Sequence, residues 1–178
     1  MREPRAFSTD RLDLLPLRVA HADEMAEVLS DPSLHTFIGG RPATVEELRA
    51  RYERQLAGSP DPAVTWWNWV IRLRAEGRST EGCPVKGSLT GTLQATVEEP
   101  VAEIAWVVGT PWQGRGIAKE AAAGLCRHLA GVPGLHEVIA HIHPDHAVSA
   151  AVAGAAGLRP TGEWQEGEER WRGALPGS

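Results

Sequence analysis

The segment from residue 106 to residue 118 has the residue types and spacing of an anion-binding turn. An apolar run leads into Gly114 and Gly116, and a helix-like pattern follows directly. The first N–H groups of a helix have no partner within the helix, and the helix dipole favours negative charge beside them. Glycine lets the backbone approach a ligand without an intervening side chain. The pattern therefore predicts a phosphate or pyrophosphate site, near which Arg115 and Lys119 would add positive charge.

Three kinds of nucleotide-binding turn resemble this segment, and its residues argue against two of them. A P-loop ends in Gly-Lys-Ser/Thr, which is absent here. A dinucleotide fingerprint has Gly or Ala where this chain has Lys119, and it lies in a strand–helix–strand unit near the start of a domain. The pyrophosphate arm of coenzyme A is the remaining interpretation. A glycine turn that binds no ligand is the alternative.

Four motifs along the chain occur in the order and at the spacing of one enzyme family. They are Thr9-Asp10-Arg11-Leu12-Asp13-Leu14 with Pro16-Leu17-Arg18, Glu103-Ile104-Ala105-Trp106-Val107-Val108, Gln113-Gly114-Arg115-Gly116-Ile117-Ala118, and His146-Ala147-Val148-Ser149 with Gly157-Leu158. On these motifs the chain resembles the GNAT superfamily of N-acetyltransferases. The first motif is similar to that of the branch that acetylates ribosomal-protein N termini (RimJ/RimL-like).

The resemblance implies a binding site for acetyl-coenzyme A. In this family the fourth and fifth strands splay apart, and pantetheine lies in the gap, bonded here to main-chain groups of Val107 and Val108. His146 stands where the family has an asparagine that touches pantetheine, and an imidazole can donate a comparable hydrogen bond. The residues expected at or near the pyrophosphate are Gln113, Gly114, Arg115, Gly116, Ile117, Ala118 and Lys119.

The reaction that the resemblance implies is direct attack of a neutral amine on a thioester in a ternary complex. An amine with a pKa of about 8 to 10.4 is mostly protonated at neutral pH, so the enzyme needs a base. Glu103 matches the family position that often serves as this base; an outward-facing strand carboxylate is the alternative. Ser149 matches the motif serine, which would donate to the departing sulfur or only hydrogen-bond the cofactor while water acts as the acid. Tyr52, the only tyrosine, lies on an early helix.

A group of metal-ligand residue types follows one predicted strand. It comprises His141, His143, Asp145 and His146. The family uses no metal, so we expect none here. A histidine close to the acceptor is a candidate second base.

The hydrophobic pattern predicts an α/β (α+β) fold, a single domain over residues 1–178. We expect a mixed, mostly antiparallel sheet of about six or seven strands flanked by about four helices, with Asp145 capping the last helix and Gly157 closing it. Strands are predicted at residues 12–17, 66–73, 87–97, 101–108 and 138–143, with two more within 158–171 around a turn at 165–167. Helices are predicted at 22–29, from a Thr44 capping box with Val45, Leu48, Tyr52 and Leu56 on one face, at 117–129 and at 147–156, with loops at 33–42 and 76–84.

The composition limits the classes to which the chain can belong. The net charge is −5, so the basic surface of a dedicated nucleic-acid binder is not expected. Residues 1–10 carry charge without an apolar core, and no apolar run approaches the roughly 20 residues that span a bilayer, so we expect neither a signal peptide nor a membrane segment. Cys83 and Cys126 lack metal-type or redox-type spacing. A cytoplasmic protein is expected.

The acceptor amine is what the resemblance leaves open. We expect transfer to a primary amine of a small molecule or a peptide N terminus; a ribosomal protein suits the first motif, and an antibiotic or polyamine suits the acidic charge. The acceptor would enter beside residues 33–42, the start of the Glu103 strand and the closing hairpin. The alternatives are a degenerate acyl-coenzyme A-binding sensor or scaffold and an enzyme with another acyl donor. Homodimers are common in the family, and the sequence leaves that state open.

Overall fold

The structure, a computed structural model, describes residues 3–75 and 87–175. Two strands, three helices and three further strands are followed by a helix, a strand, a helix and two closing strands. The strands are β1 (Phe7–Ser8), β2 (Leu12–Pro16), β3 (Thr65–Leu73), β4 (Ser88–Glu98), β5 (Val101–Val108), β6 (Glu137–Ile142), β7 (Arg159–Gln165) and β8 (Glu168–Ala174). The α-helices are α1 (Ala22–Val28), α2 (His35–Ile38), α3 (Val45–Ala57), α4 (Ile117–Ala130) and α5 (Ala147–Ala155). Short 3-10 turns lie at Val19–His21, Pro32–Leu34 and Thr110–Trp112.

The strands form one 8-stranded sheet in the order β1-β2-β3-β4-β5-β6-β8-β7. Neighbouring strands are antiparallel except β5 and β6, which are parallel. Parallel neighbours need a long crossover, and α4 supplies it. The predicted mixed, mostly antiparallel sheet is confirmed. The extra strand and helix are the two-residue β1 and the four-residue α2, which are too short to produce a periodic pattern.

One face of the sheet packs against α4. This helix buries apolar residues four positions apart, Ile117, Ala121 and Leu125, because residues at that spacing share one face. Burial of each large side chain contributes about 1.5–3 kcal/mol. The sheet residues of this core include Leu12, Leu14, Trp67, Trp69, Ile71, Leu93, Ala95 and Ile104.

The opposite face is covered by α1 and α3 at the β2–β4 end only. The buried residues of this second core are Leu17, Ala22, Met25, Val28, Leu48, Tyr52, Val70 and Leu89. Further along the same face, Glu103 and Ala105 of β5 are exposed. The helices therefore leave part of the sheet accessible beside β5 and β6.

The predicted bounds of the longer elements lie within one residue of the observed ones, except that β8 runs to Ala174, three residues beyond the predicted end at 171. The Thr44 hydroxyl accepts a hydrogen bond from the Glu47 amide at 3.2 Å, and the Glu47 carboxylate accepts one from the Thr44 amide at 2.9 Å, which confirms the capping box. Positive φ angles of 50° at Glu166 and 84° at Gly167 close the predicted turn between β7 and β8.

Two local predictions are wrong, and a third concerns residues that the structure does not describe. Residues 33–42 were expected as a loop but contain the end of a 3-10 turn and α2, which begins directly after it. Leu56 was placed on the packed face of α3, yet it is 52% exposed, because that helix extends past the surface that it covers. The predicted connection at 76–84 lies outside the described residues.

No helix within residues 3–75 or 87–175 is long and apolar enough to cross a membrane.

Candidate active site

A cleft of about 690 Å³ lies where β5 and β6 separate. The strands pair only from Val101 to Glu103 and from Glu137 to Ile139, although both continue beyond these positions. The divergence leaves the later main-chain groups of β5 without a strand on that side. The residues lining the cleft include Glu103, Trp106, Val107, Val108, Gln113, Ala118, His141, His146 and Ser149.

The glycine turn before α4 lies at one end of this cleft. Gly114 and Gly116 have φ angles of 72° and 75°, a left-handed conformation that L side chains rarely adopt. A Cβ atom added at Gly114 would meet nothing within 4 Å. The first hydrogen bond of α4 runs from the Glu120 amide to the Gly116 carbonyl at 3.0 Å. The amides of the preceding helical residues are therefore available to an anion, as a pyrophosphate site requires.

The N-terminal segment holds the far side of this turn. Arg11 donates from Nε to the Glu120 carboxylate at 2.7 Å and from both terminal nitrogens to the Arg115 carbonyl at 3.1 Å. The Thr9 hydroxyl and the Arg11 amide donate to the other Glu120 oxygen at 2.6 and 2.8 Å. Burial alone would raise the pKa of Glu120, but these hydrogen bonds outweigh it and lower that pKa. The contacts fix the start of α4.

Hydrogen-bond alternation along β5 determines which main-chain groups face the cleft. The Gly109 amide bonds the Thr90 carbonyl of β4 at 2.8 Å, so Val107, two residues earlier, also directs its main chain toward β4. Trp106 and Val108 then direct theirs toward the cleft, where the Gln113 side chain donates to the Val108 carbonyl at 3.0 Å. Trp106, rather than Val107, therefore presents main-chain groups there. Val107 contributes its side chain to the lining.

His146 caps α5. Its Nδ1 accepts a hydrogen bond from the Ser149 amide at 2.9 Å, in place of the Asp145 cap predicted from the sequence. The reason is position: α5 begins at Ala147, so the residue before it is the N-cap. With Nδ1 accepting, a neutral His146 carries its proton on Nε2, which can donate. The ring of Phe37 packs edge-on against the ring of His146, and the two ring centroids are 4.1 Å apart.

A line of polar side chains crosses the open face of the sheet at this cleft. His141 Nδ1 lies 2.8 Å from the Glu103 carboxylate, and Arg170 Nε lies 3.5 Å from His141 Nε2. Since Arg170 can only donate, its contact assigns Nε2 as acceptor and Nδ1–H as donor to Glu103. The His141 side chain is 10% exposed and that of Glu103 is 46% exposed. Glu103 is thus held from one side and open to the cleft on the other.

The structure gathers most of the predicted site residues at the cleft or its mouth. Arg115 is exposed on the glycine turn and Lys119 is exposed at the start of α4. The Ile117 side chain is 1% exposed in the core, so only its main chain can serve a ligand. Gly157, at a φ of 91°, closes α5 as predicted. No group of three His, Cys, Asp or Glu residues with metal-binding geometry occurs in residues 3–75 and 87–175.

Sequence reasoning missed several supporting residues. Thr9 and Arg11 belong to a motif that signalled the family, but nothing local shows that they reach Glu120, more than 100 positions away. Arg170 lies opposite His141 in the β6–β8 register, which is visible only once the strand order is known. Phe37 lies on α2, a helix that the sequence did not predict.

The chain belongs to the GNAT acetyltransferase family. Residues 11–159 match the acetyltransferase (GNAT) domain, a span that includes the glycine turn, both strands of the cleft and α5. A search of curated proteins by sequence finds no match.

Solved structures share the fold. A GNAT-family acetyltransferase from Bacillus anthracis superposes with a TM-score of 0.72 at 20% identity, covering 94% of this chain and 96% of its own. RimL, a ribosomal L7/L12 α-N-protein acetyltransferase in complex with coenzyme A, superposes with a TM-score of 0.72 at 16% identity, covering 98% of this chain and 100% of its own. A spermidine N-acetyltransferase from Vibrio cholerae, in complex with coenzyme A and spermine, superposes with a TM-score of 0.71 at 14% identity, covering 95% of this chain and 98% of its own.

Proposed function

We propose that this protein transfers acetyl from acetyl-coenzyme A to a primary amine of a small molecule or a peptide N terminus, by direct attack in a ternary complex. The observation that carries the proposal is the shared cleft: an anion-binding helix start and a held, accessible carboxylate open into the same space between β5 and β6. Family membership supplies the reaction class. We propose further that residues 1–178 act as one acyltransferase domain.

The proposed contacts with the donor come from main-chain and side-chain groups of this chain. The amides after Gly116, together with Gly114, would hold the pyrophosphate, and Arg115 and Lys119 would add positive charge at the mouth. The main-chain groups of Trp106 and Val108 would hold the pantetheine arm, as an added strand would be held. When bound, acetyl-coenzyme A supplies an acetyl thioester in the gap.

Glu103 is the proposed general base. The acceptor arrives mostly as an ammonium ion, and the Glu103 carboxylate takes a proton from it, directly or through one water. The amine nitrogen then bonds to the acetyl carbon while the carbon–sulfur bond breaks. As the amide forms, the nitrogen loses a second proton to water, and this proton replaces the one that the donor beside the sulfur gives to the departing thiolate. His141 positions the carboxylate by donating from Nδ1, and Arg170 fixes that tautomer. His141 is therefore a positioning residue in this proposal rather than the base.

The departing thiolate needs a proton donor at the other side of the cleft. Ser149 lines the cleft, and Tyr52, the only tyrosine of the chain, does not. We propose that Ser149 donates to the sulfur directly or orders a water that does. His146 Nε2–H is available for the pantetheine amide, the role that the family gives to asparagine.

Release of free thiol from acetyl-coenzyme A tests the proposal. The acceptors are a peptide with a free N terminus, the same peptide with an acetylated N terminus, and a simple alkylamine. We expect thiol release with the free peptide or the alkylamine and none above background with the blocked peptide.

A second function is compatible with the late motif, in which histidine replaces asparagine. A protein that only senses acyl-coenzyme A would bind the cofactor in calorimetry and release no thiol with any amine. That result would overturn the catalytic proposal and leave the binding proposal intact.

A further inference from the structure

The closing hairpin of β7 and β8 is irregular beside His141. The register of β7 against β8 breaks between Pro160 and Trp164. Within this break, residues 161–163 of β7 lie opposite the single residue Arg170 of β8. On its other side, Arg170 pairs with His141 of β6. A β-bulge bends its strand and re-aims side chains, and bulges are frequent beside active sites. This bulge lies at the residue that contacts the His141 ring from β8.

The hydrogen bonds of the bulge centre on Arg170. The Thr161 hydroxyl donates to the Arg170 carbonyl at 2.7 Å and accepts from the Glu163 amide at 3.2 Å. The Glu163 carboxylate accepts from Arg170 Nη1 at 3.0 Å. Continued from Pro160 without a break, the register would instead place Glu163 opposite Glu168. The bulge therefore brings the Glu163 carboxylate to the guanidinium.

Arg170 needs this anchor because its contact with His141 is weak by itself. The distance of 3.5 Å from Arg170 Nε to His141 Nε2 is at the outer limit of a hydrogen bond. The Arg170 side chain is 33% exposed, so water competes for its donors. Glu163 binds a different nitrogen of the same guanidinium, so both contacts can exist together. Because Glu163 already holds the guanidinium, the contact with His141 requires little further ordering of this long side chain.

The held guanidinium limits His141 to one ring proton. The Glu103 carboxylate lies 2.8 Å from Nδ1, and its negative charge attracts positive charge to the ring. Arg170 opposes a second proton, because Nε2 accepts its hydrogen bond and an imidazolium would lie beside another cation. A neutral His141 orients Glu103 without neutralising its charge. The carboxylate then remains able to take a proton from the acceptor amine.

We propose that Glu163 is a positioning residue for acetyl transfer: through Arg170 it keeps the single ring proton of His141 on Nδ1, where it orients Glu103. The inference rests on the proposed function and adds the bulge of β7 as the element that sets the state of the base. The Glu163 side chain is 57% exposed and lies outside the cleft lining, so its effect has to pass through Arg170.

A second ion pair on the same strand provides a matched control. Arg172, two residues along β8, contacts the Glu137 carboxylate of β6 from Nε at 3.2 Å. The two side chains are 48% and 29% exposed, so this pair is as accessible to water as the pair of Arg170 and Glu163. Neither Arg172 nor Glu137 lines the cleft. Loss of either pair should cost similar stability, and only loss of the first should affect His141.

Nitrogen-15 NMR of histidine-labelled protein measures the ring protons of His141 directly, with His141→Asn to assign its signals. At neutral pH we expect one proton, on Nδ1, in the unaltered protein. In Glu163→Ala and Arg170→Met, Nε2 should be protonated in a measurable fraction, whereas Glu137→Ala and Arg172→Met should keep the single Nδ1 proton. An unchanged His141 spectrum in Glu163→Ala would overturn the inference, as would the same change in Glu137→Ala.

Thiol-release kinetics measure the consequence for turnover. We expect kcat to fall about two- to threefold in Glu163→Ala and about fivefold in Arg170→Met, the range of a partly exposed ion pair. The double variant should be no slower than Arg170→Met alone, because Glu163 acts through Arg170. Additive losses would overturn the inference. So would a kcat of Glu163→Ala equal to that of the unaltered protein or to that of Glu137→Ala.

The NMR measurement separates this inference from the proposed function, because it needs no acetyl transfer. A Glu163-dependent state of His141 in a protein that releases no thiol with any amine would sustain the chain of contacts and reject catalysis. Thiol release with an unchanged His141 spectrum in Glu163→Ala would sustain catalysis and reject the inference.

Discussion

The glycine turn before α4 and the sheet face around Glu103 build their sites in opposite ways. The turn offers main-chain amides from one continuous segment, and its shape depends on two glycines with φ angles of 72° and 75°. The Glu103 face offers side chains from separate strands: Glu103 from β5, His141 from β6 and Arg170 from β8. One region is encoded locally, and the other exists only when the sheet is assembled.

This difference has consequences for how each region tolerates change. Main-chain amides persist through most side-chain substitutions, so the turn should fail only when its backbone conformation is altered. The site around Glu103 depends on the individual side chains of Glu103, His141 and Arg170, so a single substitution among them should reduce turnover. Substitutions at the two regions are therefore expected to separate cofactor binding from turnover.

Glu103→Gln should have the largest effect. The amide keeps the shape of the side chain but cannot take a proton, so we expect kcat to fall about 100-fold or more, within the range for loss of a general base. The affinity for coenzyme A should stay within about twofold, as this loss is expected in the transition state alone. Glu98→Gln, an exposed carboxylate at the end of β4, is the control. A turnover of Glu103→Gln equal to that of the control would remove Glu103 from the mechanism.

His141→Asn should act through Glu103. Without the 2.8 Å hydrogen bond the carboxylate loses its fixed position, and we expect kcat to fall about tenfold, roughly the worth of one hydrogen bond to a charged group. In a double-mutant cycle, Glu103→Gln with His141→Asn should be no slower than Glu103→Gln alone. Additive losses would indicate that His141 has a separate catalytic task.

Gly114→Ala should weaken the cofactor rather than slow the chemistry. Alanine at a φ of 72° is strained by about 1–2 kcal/mol, and relief by movement of the turn should raise the Kd of coenzyme A about tenfold. Gly162→Ala is a matched control, because Gly162 has a φ of 75° and its added Cβ would also meet nothing within 4 Å. The two variants should lose similar unfolding free energy, and only Gly114→Ala should lose affinity. Equal affinities would show that the turn does not bind the cofactor.

The same contrast explains what the sequence could reveal. Capping at Thr44, the bounds of the long strands and the glycine turn depend on neighbouring residues, and all were predicted. The partners of His141 depend on strand order, and the contact of Arg11 with Glu120 joins segments 109 positions apart, so no local pattern shows them. The sequence analysis predicts Asp145 as the N-cap of α5 because aspartate is a preferred capping residue type. The cap is His146, because His146 is the residue that directly precedes the helix.

Removal of the contact between Arg11 and Glu120, which supports the glycine turn, should have the smallest effect of these substitutions. Its effect on stability should depend on pH. The pKa of Glu120 lies below its ordinary value of 4.5 in the folded protein, so the ionised carboxylate stabilises the fold at neutral pH. That contribution is lost as the pH falls from about 4.5 through the lower folded value. Glu120→Gln should reduce the unfolding free energy by about 1 kcal/mol near neutral pH, since the contact is partly exposed.

Urea unfolding of both proteins measures this difference. The gap between the unaltered protein and Glu120→Gln should be widest near neutral pH and should close as the pH is lowered below the ordinary value of 4.5. The variant should also bind coenzyme A a few-fold more weakly, because the turn loses its support from the N-terminal segment. A gap that is constant across this pH range would mean that Glu120 stabilises the helix by packing and not through its charge.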